Sequence, residues 1–198
     1  MRIGVGFKAH SGWAALVAIG GSDGETRVIE RRRIELTEPD TLAWAKQPYH
    51  AAQDLPSEEA RKLVDRGVAA AHRVALQEMR ALAGRWRNSG HDVIGCGILS
   101  GPPLPDWTTG QILAVHIRMR KAEGALFPAA LAHAANACQL NRIIIFQSAL
   151  NAPDESLDFA AAANQLAALG KAVGPPWGAD QKSAALAAMI VLRKYSGH

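Results

Sequence analysis

The densest set of chemically capable side chains in the sequence lies between residues 116 and 123. It holds one imidazole, three cations and one carboxylate: His116, Arg118, Arg120, Lys121 and Glu123. An imidazole and a carboxylate can transfer protons near neutral pH, and guanidinium and ammonium groups can hold an anion. Two interpretations are open, a structural cluster near a joint between helices or one wall of an anion-binding cleft.

Further candidates lie at the ends of predicted strands and on loops. His10 is either a proton carrier at the rim of a site or a solvated histidine in a turn. Ser11 and Ser100 carry hydroxyl groups, but the sequence shows no base for either, so it does not favour them as nucleophiles. Trp107 and Trp177 lie on loops, where a tryptophan either stacks on a nucleic-acid base or covers the core.

A row of cations follows one side of the longest predicted helix. Lys62, Arg66, Arg73, Arg80 and Arg87 are four, then seven, seven and seven residues apart. At about 100° per residue they fall within a narrow sector opposite the apolar stripe. The row is either a solvated face or a surface that contacts a phosphate backbone.

Composition limits the class of protein. The chain has 198 residues, 48% hydrophobic and 20% charged, which is ordinary for one globular domain with a full core. Its net charge of +4 favours anionic partners only mildly. Cys96 and Cys138 lack zinc-ligand spacing, so we expect buried free thiols. We find no membrane-spanning run and no leader pattern, and we expect one cytoplasmic domain over residues 1–198.

The elements that position these residues begin with a hairpin over residues 2–19. Alternation of apolar residues with glycine and lysine over residues 3–8 indicates a strand, and the apolar run at 13–19 indicates a strand covered on both faces. A third strand at 27–36 carries three successive arginines, which favours an edge of the sheet.

The rest of the chain alternates between helices and strands. We expect a short helical piece near 42–46 within an irregular segment at 37–56, and then a helix from its N-cap Ser57 to about Arg87. A buried strand at 91–99 follows, then a helix capped by Thr108 or Thr109 and a second helical stretch at 122–138. The chain ends with a buried strand at 142–147, a helix from Asp154–Glu155 to Leu169 closed by Gly170, and a last helix at 180–195. Pro128 would then lie near a helix start, where proline is tolerated.

This order, β-β-β-α-β-α-β-α, predicts an antiparallel meander to which two further strands are added in parallel by right-handed crossovers. The first strand is then central, beside the fourth. Ligands of open α/β sheets bind beyond the carboxyl ends of strands. We therefore expect a site between residues 8–11 and 100–101, with the start of the last helix nearby.

Two segments resemble a known family. Residues 6–19, G-F-K-A-H-S-G-W-A-A-L-V-A-I, are similar to the first hairpin of RuvC-type Holliday-junction resolvases and related ribonuclease H-like proteins. Residues 179–189, A-D-Q-K-S-A-A-L-A-A-M, are similar to their last helix. The resemblance implies the α/β ribonuclease H-like fold, a mixed five-stranded sheet with its first strand central and helices on both faces.

The same resemblance implies a two-cation nuclease site, from which this chain departs. The family's carboxylates hold two divalent cations about 4 Å apart. Lys8 stands where the first carboxylate belongs, and Leu99 and Ser100 stand where the fourth strand should end in an acid. In the last helix Asp180 matches one acid and Ser183 replaces the other. We assign no metal site and do not favour Mg²⁺ as a cofactor, because a Mg²⁺ pair needs several oxygen ligands. Lys8 either pairs with Asp180 or binds a phosphate as a point charge.

Three hypotheses about function result. The first is a pseudoenzyme with a ribonuclease H-like fold that lacks two-metal nuclease activity and binds nucleic acid, a nucleotide or another phosphate ligand. Its candidate binding residues are Lys8, Ser11, Ser100, Arg118, Lys121, Lys62, Arg66, Arg73 and Arg80. The second is a hydrolase, nuclease or transferase with a non-standard site, for which the weak candidates are His10, His116, Glu123 and Asp180. The third is a structural module that forms homodimers through the edge of the third strand or an exposed helix.

Overall fold

The computed structural model describes residues 1–21, 25–38, 43–148 and 159–196. Its strands are β1 (Arg2–His10), β2 (Trp13–Gly20), β3 (Arg27–Glu35), β4 (Asp92–Ser100) and β5 (Arg142–Phe146). Its helices are α1 (Pro48–Ala51), α2 (Ser57–Asn88), α3 (Thr109–Leu113), α4 (His116–Ala137), α5 (Phe159–Val173) and α6 (Ala179–Ser196), with a 3₁₀ turn at Ala43–Ala45. None of these helices is apolar over enough of its length to span a bilayer.

The strands form one sheet in the order β3-β2-β1-β4-β5, so β1 lies at its centre. β1 pairs antiparallel with β2 and parallel with β4, and β4 pairs parallel with β5. The predicted meander, the parallel crossovers and the central first strand are therefore confirmed. The register places Lys8 beside Leu99 where β1 and β4 end together.

The two faces of β1 are packed differently. Ile3, Val5 and Phe7 are fully buried in the main core, against residues of α2 and α4. The alternate positions Gly4 and Gly6 face α6. Because side chains alternate along a strand, Lys8 and His10 continue the α6 side of β1.

Helix α6 lies directly on the backbone of the central strands. A Cβ added at Gly4 would lie 2.6 Å from the Ala188 carbonyl oxygen, and one added at Gly6 would overlap that of Ala184. Two strand residues advance about 6.6 Å and four helix residues about 6 Å, so the helix and the strand keep step. The next pair in this series is Lys8 with Asp180.

Of the predictions made for the two edges of the sheet, one is confirmed and one is wrong. β3 is an edge strand, and its successive arginines are half-buried or exposed. The prediction that β5 is fully buried, made from its unbroken apolar run, is wrong. β5 is the opposite edge, and Ile144 and Phe146 are 40% and 41% exposed. An apolar run without alternation therefore did not mean coverage on both faces.

Helix α2 matches the prediction in extent but not in its cap. It runs one residue beyond Arg87 and buries the predicted apolar stripe. Its N-cap position is held by Pro56 without a side-chain hydrogen bond, so Ser57 is the first helical residue rather than the cap. The short helix α1, which begins at Pro48, was not predicted and lies inside the segment at 37–56 that we expected to be irregular.

Helix α4 is longer than predicted, and α5 ends later. α4 begins at His116, so Pro128 lies deep inside one continuous helix and not near a helix start. Helix α5 passes through Gly170 and ends before Gly174, whose φ is 70°. Asp154 and Glu155, the predicted start of this helix, fall outside the described residues. Thr108 caps α3 as expected, with its hydroxyl accepting from the Gln111 N–H.

Both cysteines are free thiols, as predicted, but of the two only Cys96 is buried. Cys96 is buried in the main core, and burial raises the pKa of its thiol to about 12. Cys138 is half-buried, and burial raises its pKa as well. Because the thiolate is the reactive form, neither cysteine is activated for nucleophilic chemistry.

Candidate functional site

Two polar clusters flank the tip of the β1–β2 hairpin. The first, called here the α6 cluster, consists of Lys8, His10 and Asp180. The second is a cleft between the hairpin tip, α1 and α4. This α4 cleft is lined by Ser11, Gln47, His50, His116, Arg120, Glu123 and Gly124. The sequence predicted one site over residues 8–11, but the structure separates Ser11 from Lys8.

The α6 cluster joins the end of β1 to the first turn of α6. His10 Nε2 lies 3.0 Å from Asp180 Oδ1, and both side chains are about one-third exposed, at 35% and 33%. The Trp13 ring stacks on the imidazole of His10 at 4.3 Å, and the Arg33 guanidinium lies 4.0 Å from the Trp13 ring centroid. His10 is therefore held in place by a neighbouring ring and not merely solvated in a turn.

Lys8 lies in the electrostatic field of Asp180. Burial lowers the pKa of the Lys8 ammonium from 10.5, and the carboxylate of Asp180 partly opposes that effect. Within the described residues the side chain in direct contact with Asp180 is His10, and not Lys8 as the sequence suggested. Lys8 is thus a half-buried cation that shares its carboxylate with an imidazole.

The positions beside Lys8 offer few oxygen ligands. Leu99, its neighbour on β4, is buried against Ile145 and Ala187, and Ser100 is half-buried at the strand end. Over residues 1–21, 25–38, 43–148 and 159–196 no three His, Cys, Asp or Glu side chains lie close enough to hold a metal ion. One carboxylate, one imidazole and one ammonium group do not fit a pair of Mg²⁺ ions, which require several oxygen ligands.

The α4 cleft is built on helical spacing. His116, Arg120 and Glu123 are four and then three residues apart and lie on one face of α4. Opposite them, the backbone N–H groups of Tyr49 and His50 donate to Glu123 Oε1 at 2.8 and 3.1 Å. His50 Nδ1 lies 3.3 Å from the same oxygen.

Glu123 is an unusually buried carboxylate. The residue is only 6% exposed, and burial raises its pKa from 4.5 although the hydrogen bonds from His50 and Tyr49 oppose the shift. Its other oxygen, Oε2, is buried and has no hydrogen-bond partner among the residues that the structure describes. Buried polar atoms are nearly always paired, so this oxygen needs an explanation.

The imidazoles complete the cleft. The rings of His50 and His116 meet edge to face, with centroids 5.4 Å apart. The cleft has a volume of about 290 Å³, slightly below the range of about 300–1,000 Å³ found for pockets that bind drug-sized ligands. It combines hydroxyl, amide, imidazole and guanidinium groups with the Glu123 carboxylate.

Several predicted binding residues lie outside both clusters. Arg118 packs over Trp107 at 5.0 Å and donates to the Gln111 carbonyl oxygen, and Lys121 is exposed; neither lines the α4 cleft. Trp177 packs beside α5, and its Nε1 donates to the Leu166 carbonyl oxygen. The tryptophan side chains therefore cover apolar residues.

The cations of α2 are exposed but mostly engaged with their own chain. Lys62 pairs with Glu58, Arg66 lies over the Trp44 ring, and Arg73 pairs with Glu38. Arg80 and Arg87 are also exposed on this helix. Exposed ion pairs contribute little to stability, so these side chains can exchange partners readily.

The sequence identified His116 and Glu123 correctly as neighbours but missed the rest of the α4 cleft. His50 and Gln47 lie in a segment without periodicity, where no pattern marks them. The 116/120/123 spacing could have shown that Arg120, rather than Arg118 or Lys121, shares a face with His116 and Glu123. His116 is joined by His50, and not by His10 as the second hypothesis supposed.

Comparison with known proteins shows the fold. The chain is similar over 98% of its length, and over 96% of the other chain, to a structure of Thermus thermophilus RuvC in complex with a Holliday junction substrate (TM-score 0.52, 11% identity). A second Thermus thermophilus RuvC structure is similar with a TM-score of 0.51 and 9% identity. No family model matches the sequence, and no curated protein matches it. The α/β fold is therefore the ribonuclease H-like fold of the RuvC resolvases.

Proposed function

We propose that this ribonuclease H-like chain binds the phosphate backbone of a nucleic acid without cleaving it by a two-cation mechanism. The observation that carries the proposal is the pairing of Lys8 with Leu99 at the joint end of β1 and β4, beside Asp180. These side chains supply a cation and an apolar surface where a nuclease of this fold would need carboxylates.

The charge at this position suits a phosphate. Lys8 offers an ammonium group that burial has partly desolvated, and such a point charge interacts more strongly than a fully hydrated one. Asp180 lies against His10 and neutralises only part of the local charge. A phosphodiester that approaches the end of β1 would therefore meet Lys8 first as its counter-ion.

The exposed face of α2 offers a second basic surface, on the other side of the sheet from Lys8. Arg66, Arg73 and Arg80 are exposed on this helix, and their present contacts are weak surface interactions. Phosphate contacts of this kind release counter-ions, so the affinity should fall steeply as salt rises. Sequence-independent binding is the expected mode, because these cations reach phosphates and not base edges.

The test is a titration of labelled single-stranded, duplex and branched DNA and RNA at low and moderate salt, with and without Mg²⁺. We expect salt-sensitive binding of at least one form and no Mg²⁺-dependent cleavage. Lys8→Gln should weaken binding by several-fold, and Lys171→Gln, an exposed lysine on α5, should leave it unchanged. Absence of salt-sensitive binding, or cleavage that a chelator abolishes, would refute the proposal.

A second function, a metal-independent hydrolase or transferase, is favoured by one observation, the buried Glu123 beside His50 and His116. A carboxylate that orients an imidazole is the arrangement of a general base. The test is activity toward a panel of phosphoesters with and without chelator. Activity that persists with chelator and is lost in His116→Ala would support this function, and a blank result across the panel would remove it.

A further inference from the structure

We propose that the α4 cleft binds a terminal phosphate group, that of a free phosphate monoester or of a phosphorylated nucleic-acid end, and that Glu123 Oε2 recognises its hydrogen. This inference deepens the proposed function, since it names which phosphate of a strand this second site would take. It rests on the geometry of the cleft and on the chemistry of the groups that line it.

The walls of the cleft provide donors for an anion. Arg120 and His116 lie on the same face of α4, and Ser11 and Gln47 contribute a hydroxyl and an amide to the lining. A guanidinium group offers several N–H donors in one plane, which suits phosphate oxygens. The cleft therefore has both a cation and neutral donors for an oxyanion.

The repulsion between the carboxylate and an anion is reduced by neighbouring donors. Glu123 Oε1 already accepts from two backbone N–H groups and lies 3.3 Å from His50 Nδ1, so these groups offset part of its negative charge. Arg120 remains exposed at the rim. An anion that enters the cleft meets this positive charge.

Glu123 Oε2 distinguishes between anions. This oxygen is buried without a partner among the described residues, so a ligand that donates a hydrogen bond to it is favoured. A phosphate monoester has its second pKa at about 6, so at pH 6.5 about a quarter of it is the monoanion, which carries an O–H group. Sulfate and an internal phosphodiester carry no such proton. The hydrogen of the terminal phosphate would pair with this buried oxygen, for which the described residues offer no hydrogen-bond partner.

The size of the cleft agrees with a single group. Its volume of about 290 Å³ is slightly smaller than that of pockets which enclose a drug-sized ligand. The Ser11 side is formed by a hairpin tip, beyond which the remainder of a nucleotide or strand would extend into solvent. Only the terminal group is then recognised.

The first arm of the test compares inorganic phosphate with sulfate at pH 6.5 and constant ionic strength, by calorimetry on the full chain. We expect about tenfold tighter binding of phosphate, the loss typical of one unpaired buried group. Glu123→Gln should reduce the preference to about threefold or less, since an amide can donate to either anion. Arg120→Ala should weaken both anions, and His133→Asn, on an exposed part of α4, should change neither.

The outcomes decide the matter. Equal affinity for phosphate and sulfate, or no saturable binding of either anion, overturns the inference. If Glu123→Gln does not fold, the surface variants Arg120→Ala and His116→Asn still test the site, because loss of phosphate binding is expected in both. Phosphate binding that neither variant changes places the anion elsewhere and also overturns it.

The second arm uses oligonucleotides of one sequence with a phosphorylated or a hydroxyl 5′ end. A preference for the phosphorylated strand that Arg120→Ala abolishes supports the inference. Equal binding of both strands refutes the inference and leaves the proposed function intact. Binding of inorganic phosphate and of neither strand supports the site for small monoesters and refutes the proposed function.

Discussion

His10 Nε2 lies 3.0 Å from Asp180 Oδ1, so the last residue of β1 is joined to the first turn of α6. The ring of Trp13, the first residue of β2, stacks on the imidazole of His10. Asp180 therefore acts on two groups of β1 at once, on His10 by contact and on Lys8 through its charge.

Removal of the Asp180 charge should lower the pKa of Lys8. Burial already lowers this pKa, and Asp180 is the group that opposes the shift. In Asp180→Asn only the effect of burial remains, so the ammonium should lose its proton at a lower pH than in the wild type. The measurement is an NMR titration of the Lys8 side chain.

Glu58→Gln is the matched control, because it removes an exposed carboxylate on α2 that pairs with Lys62. It should leave the Lys8 titration unchanged. A Lys8 pKa that rises in Asp180→Asn, or that moves equally in both variants, would contradict the electrostatic account of the α6 cluster.

Stability should depend on pH through Glu123. Its pKa is raised by burial above 4.5, so the folded chain holds this proton more tightly than the unfolded chain does. The favourable contribution is fully present below the unfolded pKa and is lost as pH rises through the folded pKa. The free energy of unfolding of Glu123→Gln, relative to wild type, should therefore increase with pH in that window, at most about 1.4 kcal/mol per pH unit.

Urea denaturation between pH 4 and 8 measures this difference, and Glu59→Gln, an exposed residue in the first turn of α2, provides the control. The glutamine retains an oxygen that accepts from Tyr49 and His50, as Glu123 Oε1 does. A difference between Glu123→Gln and wild type that is flat, or that decreases with pH, would show that the carboxylate is not held as described.

Gly97→Ala should destabilise the fold by about 1–3 kcal/mol, the usual cost of overpacking. A Cβ at this position would lie 2.7 Å from the Ala187 carbonyl oxygen of α6, and backbone cannot move aside easily. Gly84→Ala in α2 is the control. Apart from its chain neighbours and the nearby backbone of its own helix, no atom of the described residues lies within 4 Å of its added Cβ, so it should stabilise the helix by about 0.5–1 kcal/mol. Thermal unfolding of both variants tests the prediction, which fails if the two shifts have the same sign.

Arg31 should hold the loop that leads into α6. Its Nη1 donates to the carbonyl oxygens of Gly174 and Pro176 at 2.8 and 2.6 Å. Arg31→Met keeps an apolar stem but loses these charge-assisted bonds, which should cost about 1–2 kcal/mol. Hydrogen exchange at Gly178 and in the first turn of α6 should become faster.

Arg32→Met tests the specificity of that effect. Arg32 is exposed and lies 3.5 Å from Glu30, a surface contact, so its loss should change stability by about 0.5 kcal/mol or less. Exchange at the start of α6 that responds equally to both variants would rule out Arg31 as the anchor of the loop.

The sequence predicted the sheet better than the sites. Alternation in β1, the arginines of β3 and the two crossovers were enough for the strand order, because each is a local pattern with one physical meaning. β5 was misjudged because its isoleucines are equally compatible with an edge, and only the neighbouring elements decide which side is covered.

The two clusters required contacts that no local pattern contains. Pro128 suggested a helix start, yet α4 continues through it, so Glu123 lies in the second turn of one helix that begins at His116. His50 reaches Glu123 across 73 residues of chain. The partition of His10 and Ser11 between two clusters depends on the hairpin tip, where neighbouring side chains diverge.

Because the residue spacing of α6 matches that of β1, the number of residues between Asp180 and Ala184 determines where the Asp180 side chain lies. The Gly4–Ala188 and Gly6–Ala184 contacts fix the helix along the strand, and four residues of uninterrupted helix then bring the carboxylate to Lys8. One residue inserted between 180 and 184 would rotate Asp180 by about 100° about the helix axis without disturbing either glycine contact. The number of residues in this single turn of α6, more than any side chain around it, therefore determines whether the Asp180 carboxylate lies at the end of the central strand.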